Sequence, residues 1–211
     1  ITKVDLGIDL ISQIKVVGTP RDSVVWVAVN NFLLAFLPSG DISRRIRLSN
    51  STMDHFTDLF EDKVGKVWVA LRDSTISLYR DGVLLRRRRT PSGRVTHMMD
   101  DLKGNLYIGT DNALLIISID RFGTDDFEPI KGSNGLPEKV VAGVVDREEN
   151  LWLALRDKGI AKLETRGLQM FPLSGIPESY NNSRATCDSA GHFWVLSGDS
   201  LVEIQRVDKA D

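Results

Sequence analysis

Apolar positions cluster in short bursts separated by polar, turn-forming residues, and no sustained helical period runs through the chain. One burst in each cycle carries a large aromatic. Trp26 lies in VVWVAVNNFLLAF, Trp68 in KVWVALRDSTISLY, Tyr107 in NLYIGTDNALLII, Trp152 in NLWLALRDKGIAKL and Trp194 in HFWVLSGDSLVEI. The aromatics are spaced by 42, 39, 45 and 42 residues, so the cycle is an internal repeat. In four of the five units an aspartate stands six residues before the aromatic: Asp62, Asp101, Asp146 and Asp188. Three units carry glycine at minus three: Gly65, Gly104 and Gly191.

Each unit reads as strands. VTHMMDD and VAGVVD are short apolar stretches suited to an inner strand. Asp-x-x-Gly then turns the chain, because the carboxylate caps a tight turn and glycine accepts positive φ. NLYIGT follows as a second strand, ALLIISI as a third after a polar turn, and more polar stretches such as DISRRIRL, GVLLRRRR and LQMFPL as a fourth. Four strands every forty-odd residues predict an all-β chain of β-propeller blades, four-stranded and antiparallel, with about five repeats over residues 1–211. The aromatic is the natural wedge between neighbouring blades, and burying it contributes about 2–3 kcal/mol. Two arrangements are open. The chain is an arc of a larger ring, such as a seven-bladed one, or ITKVDL at residues 1–6 completes the last blade and closes five.

Composition narrows the picture only at its edges. The net charge of −2 supplies no strong global field toward nucleic acid or an anionic membrane. Nucleic acid is therefore not an expected partner, and contact with a membrane is expected only through flanking segments. The single cysteine, Cys187, excludes an internal disulfide framework and falls on a predicted inner strand as a small buried residue. His55, His97 and His192 occupy different offsets in the repeat, so they predict no metal site. Neither a phosphate-cradling glycine loop nor a G-x-S-x-G or H-E-x-x-H motif occurs, and no cofactor is expected.

The repeat V-x-x-V/M-x-D-x-x-G-N-L-W/Y-I-G-T, with an upstream Gly-Leu-Pro, resembles the two-component regulator propeller repeat. Val95–Leu115 and Gly135–Leu163 carry it most clearly, and Gly175–Ile204 more weakly. The chain departs from the pattern in two ways. Gly109-Thr110 alone keeps the Gly-Thr pair, and the first unit has PRDS in place of the Asp-x-x-Gly turn. The resemblance implies a periplasmic sensor region of an inner-membrane histidine kinase or hybrid regulator, non-enzymatic itself, with output domains elsewhere in the receptor. An interaction scaffold is the alternative it leaves, and a propeller lyase or hydrolase would need histidines and carboxylates converging on inner strands.

In a propeller, the turns between second and third strands share a face with the connections entering the next blade. That face would gather Asn30, Asn31, Arg72, Asp73, Asp111, Asn112, Arg156, Asp157, Lys158 and Asp199, with His55, Lys139, Tyr180, Asn182 and Arg184 on the connections. The candidate ligand-binding residues are Arg72, Asp73, Asn112, Arg156, Asp157, Tyr180 and Arg184. Cations, carboxylates and amides together suit a polar small molecule or an oligosaccharide; another propeller or receptor subunit, including a second copy, is the other expected partner. Turns demand Asn, Asp and Gly for their geometry, but not Arg. Arg72 and Arg156, repeated in the two ALRD segments, are therefore the strongest candidates. Arg86–Arg89 is the most charged stretch; it could bind phosphate or an anionic polymer, and also lies where cations block an outer edge.

Overall fold

In the computed structural model the described residues are 14–17, 24–50, 55–101, 103–130, 140–146, 149–155, 159–164, 167–171, 184–187, 193–197 and 200–204. Among them every regular element is a strand, and each sheet is an antiparallel meander in chain order. The first sheet is β1 (Ile14–Val17), β2 (Val25–Val29), β3 (Phe32–Phe36) and β4 (Ile42–Arg47). The second is β5 (Phe56–Glu61), β6 (Val67–Leu71), β7 (Thr75–Arg80) and β8 (Val83–Arg89). The third is β9 (Val95–Asp100), β10 (Asn105–Thr110), β11 (Leu114–Ser118) and β12 (Glu128–Pro129). The fourth is β13 (Val140–Val145), β14 (Leu151–Leu155), β15 (Gly159–Glu164) and β16 (Gly167–Phe171). The fifth holds β17 (Arg184–Cys187), β18 (Phe193–Ser197) and β19 (Ser200–Ile204). ITKVDL lies outside the described residues, and the inner strand of the first sheet is β1. The chain divides into two compact units, Ile1–Val95 with two sheets and Thr96–Asp211 with three.

The alternation of side chains along each strand sets the packing. In the first unit, Trp26 and Ala28 of β2 and Leu33 and Ala35 of β3 turn one face toward the second sheet. They meet Phe56, Leu59, Val67, Val69, Leu71 and Tyr79 there. Lys15 of β1 pairs with the buried Asp58 of β5, so the inner strands of the two sheets are also joined by charge. In the second unit, Tyr107 and Leu114 face Leu151, Leu153, Leu155 and Ala161 of the fourth sheet. The aromatic is therefore a wedge between sheets, as expected at Trp26 and Tyr107. Trp68 is fully buried, whereas Trp152 is partly exposed beneath Lys162, whose Nζ lies 5.6 Å from its ring centroid.

The second residue after each aromatic shows why Gly109 alone keeps the glycine of the repeat. Ala28, Ala70 and Ala154 occupy this position in three sheets, and all are buried. A Cβ on Gly109 would lie 2.7 Å from Val140 Cβ, so glycine is what lets β13 approach β10 here. Thr110 holds the following turn: its Oγ1 donates to the Ala113 carbonyl at 3.0 Å and accepts the Ala113 N–H at 2.9 Å.

In three of the four Asp-x-x-Gly-type segments the aspartate and the groups it binds are described, and each carboxylate does more than cap. Asp62 Oδ1 accepts the N–H groups of Val64 (3.1 Å) and Lys66 (2.9 Å), while Oδ2 accepts the Trp68 indole N–H at 3.1 Å. Asp146 likewise accepts the Asn150 N–H at 2.7 Å and the Trp152 indole N–H at 2.7 Å. Tyr107 offers no indole donor, and Asn105 Nδ2 fills Asp101 Oδ2 instead at 2.6 Å. Gly65 and Gly104 take positive φ as expected, at 79° and 103°. Glu149 stands in the corresponding place in the fourth sheet with φ 63°, a conformation that strains a residue bearing Cβ. Asp188 and Gly191 lie outside the described residues.

Candidate functional site

The turns joining second to third strands carry Arg72, Asp73 and Asn112. Their backbones are tied to the connections that enter or leave the sheet. In the first unit the Asn31 carbonyl accepts the Leu48 N–H at 2.8 Å and the Asn30 carbonyl accepts the Phe56 N–H at 3.1 Å. At the next turn the Arg72 N–H donates to the His55 carbonyl at 3.0 Å, and the Ser74 carbonyl accepts the Thr90 N–H at 2.9 Å. Turns and connections thus share one end of these sheets, as the repeat predicts.

Within the Arg72 turn the roles separate. Asp73 Oδ1 accepts the Thr75 N–H at 3.0 Å, Oδ2 accepts the Thr75 hydroxyl at 2.8 Å, and Arg89 Nη2 approaches Oδ2 at 3.3 Å. Partial burial pushes the Asp73 pKa up, but the Thr75 hydrogen bonds and the Arg89 guanidinium outweigh it, and the net shift is downward. Asp73 is therefore an ionised turn former with a structural job. Ser74 supplies the positive φ, at 72°. Nothing in the hairpin geometry uses the Arg72 guanidinium, and the residue is exposed. Beside it, His55 Nδ1 is buried without a hydrogen-bond partner among the described residues.

In the second unit Asn112 is exposed at the β10–β11 turn, its N–H donating to Thr110 Oγ1 at 3.3 Å. Arg184 opens β17 at the end of the sheet that bears the β18–β19 turn, opposite Leu196 in register. Arg156, Asp157 and Tyr180 lie outside the described residues. The structure therefore places Arg72 and Asp73 on one turn, Asn112 on the matching turn of another sheet, and Arg184 at the matching end of a third.

Comparison with solved structures decides the fold. The extracellular domain of the hybrid two-component system BT3049 from B. thetaiotaomicron is similar with a TM-score of 0.73 and 20% identity, over 89% of this chain and 27% of that one. The WD40 β-propeller domain of Doa1 gives a TM-score of 0.69 at 17% identity, over 89% and 62%. Virginiamycin B lyase from Staphylococcus aureus gives 0.68 at 16%, over 92% and 70%. The fold is a β-propeller. No family model matches the chain, and no curated protein matches it in sequence. The chain spans about a quarter of the length of the BT3049 domain.

The propeller's similar structures thus include both extracellular domains of two-component systems and a lyase. Among the histidines, His97 on the inner strand β9 lies with Nε2 3.3 Å from the Gly143 carbonyl of β13. No group of three or more potential metal ligands gathers among the described residues. Sequence reasoning placed His55 on the connecting segment but gave it no role. Its proximity to the Arg72 turn rests on the backbone bond between residues 55 and 72, for which the sequence carries no local signal.

Proposed function

We propose that this propeller is a non-enzymatic, ligand-binding sensor region on the extracytoplasmic side of a bacterial signalling receptor, periplasmic in location. Its ligand is a polar small molecule or an oligosaccharide, held on the face formed by the turns between second and third strands. Binding would be relayed to output domains elsewhere in the receptor. The observation that carries the ligand site is Arg72: Asp73, Ser74 and Thr75 meet every need of its turn, while its guanidinium stays exposed. An arginine on a rigid hairpin suits bidentate recognition of carboxylate or hydroxyl-rich ligands. The sensor class is supported by the repeat resemblance and by the likeness to the extracellular domains of BT3049 and BT4673.

The test is a thermal-shift and calorimetric screen of neutral and uronic-acid oligosaccharides, followed by Arg72→Ala combined with Arg156→Ala. Loss of at least about tenfold in affinity, with the melt nearly unchanged, is expected from removing charge-assisted contacts. Undiminished affinity for a bound oligosaccharide would remove both arginines from the site.

A further inference from the structure

The net charge of −2 conceals a division within the chain. Residues 1–95 carry 15 Lys and Arg against 10 Asp and Glu, whereas residues 96–211 carry 12 against 19. The positive excess of the first unit lies on its outer strands. β4 (ISRRIR) and β8 (VLLRRRR) hold seven arginines and no acidic residue. The two strands adjoin: a Cβ on Gly82, in the turn leading into β8, would lie 2.8 Å from Arg44 Cδ and 3.4 Å from Ile46 Cδ1. Arg87 reaches across to donate to the Leu48 carbonyl at 2.9 Å.

A second feature abuts the first. Val83, Leu84 and Leu85 open β8 and are exposed by 59%, 45% and 44%. Three consecutive exposed large apolar residues call for a functional reason. Protection of the sheet edge accounts for neither feature. Register shifts between Ala35 and Phe36 and between Leu78 and Tyr79 already interrupt both edges. Among the described residues, the fourth strands of the second unit, GLQMF and the two-residue β12 ending at Pro129, use no arginine. Edge protection also gives no reason for Val83–Leu85.

We propose that the outer edge formed by β4 and β8 docks on an anionic bilayer surface. Guanidinium groups pair with lipid phosphates, and Val83–Leu85 enter the interfacial layer. An anionic polymer would satisfy the arginines but leave the apolar run unused. Nucleic acid is further disfavoured because Phe32, the aromatic near β4, is already covered by Arg45 at 4.5 Å and Arg47 at 5.9 Å, so it gives bases no stacking platform. Arg72 and Val83 lie beyond opposite ends of β7, so docking leaves the candidate ligand turn free.

The test uses the full chain in flotation with vesicles of phosphatidylcholine alone and of equal parts phosphatidylcholine and phosphatidylglycerol. Binding is expected to the anionic vesicles only, and to weaken with added salt. Arg44→Gln and Arg86→Gln should each weaken it by roughly fivefold. Val83→Ser, Leu84→Ser and Leu85→Ser together should weaken it by about tenfold or more, with Leu84→Ser as the milder variant if the triple change alters the melt. Equal binding to both vesicles, or none, overturns the proposal. So does anionic-vesicle binding that falls with the arginines but ignores the serines, which would assign the strip to soluble polyanions.

Discussion

Replacing Asp62 by asparagine exchanges one carboxylate oxygen for an amide nitrogen on a fully buried side chain. Oδ1 would go on accepting the N–H groups of Val64 and Lys66 at 3.1 and 2.9 Å. The atom at Oδ2 would become a donor facing the Trp68 indole N–H, now 3.1 Å away, so two donors would confront each other where Trp68 and Asp62 are exposed by 0% and 1%. A hydrogen bond to a charged group contributes about 1.5–3 kcal/mol, and an orphaned buried donor costs a similar amount. We therefore expect Asp62→Asn to lower stability by about 2–3 kcal/mol, or roughly 4–10 °C in melting temperature for a chain of this size. Trp68→Phe keeps an aromatic ring but removes the same donor. In a double-mutant cycle followed by far-ultraviolet circular dichroism in urea, the pair should be less damaging than the sum of the singles by about 1.5–3 kcal/mol. Asp101 and Tyr107 form the control, since Asn105 rather than the aromatic fills Asp101 Oδ2. Their coupling at neutral pH should be near zero. Additivity of Asp62→Asn and Trp68→Phe within about 0.5 kcal/mol would refute the carboxylate–indole lock as an energetic unit.

Glu149→Gly should stabilise the protein. It relieves a positive φ of 63° costing about 1–2 kcal/mol and gives up only the Lys103–Glu149 ion pair, which solvent screens. A melting temperature raised by about 2–3 °C is expected, and a lowered one would count against strain at this turn. Tyr107 responds to alkali: burial, with a smaller contribution from the Asp101 carboxylate, pushes its pKa up to about 12. The unfolded phenol titrates near about 10, so the fold favours the neutral ring. That contribution is whole below about pH 10 and is lost as pH rises toward about 12. Tyr107→Phe should therefore show a smaller alkaline loss of urea midpoint than the parent chain; an identical loss would mean that Tyr107 does not drive it.

The β-blade pattern was legible in the sequence because its causes are local. Alternation of apolar residues sets strand faces, and Asp-x-x-Gly sets the turns, so β5–β8, β9–β11 and β13–β16 fall where the repeat puts them. Asp73 opening its turn was legible for the same reason, through Thr75 two residues on. Tertiary structure decided what depends on distance through space. It brought Lys15 to Asp58, Arg87 to the Leu48 carbonyl and Arg72 to the backbone of His55. It also decided that Asp62 and Asp146 take up the indoles of Trp68 and Trp152 beyond capping their turns, since a six-residue spacing does not say which way a ring points. The arginines of β4 and β8 were visible as composition. Their adjacency, and the exposure of Val83–Leu85 beside them, follow only from two outer strands meeting at the edge of packed sheets, a relation between residues some forty positions apart.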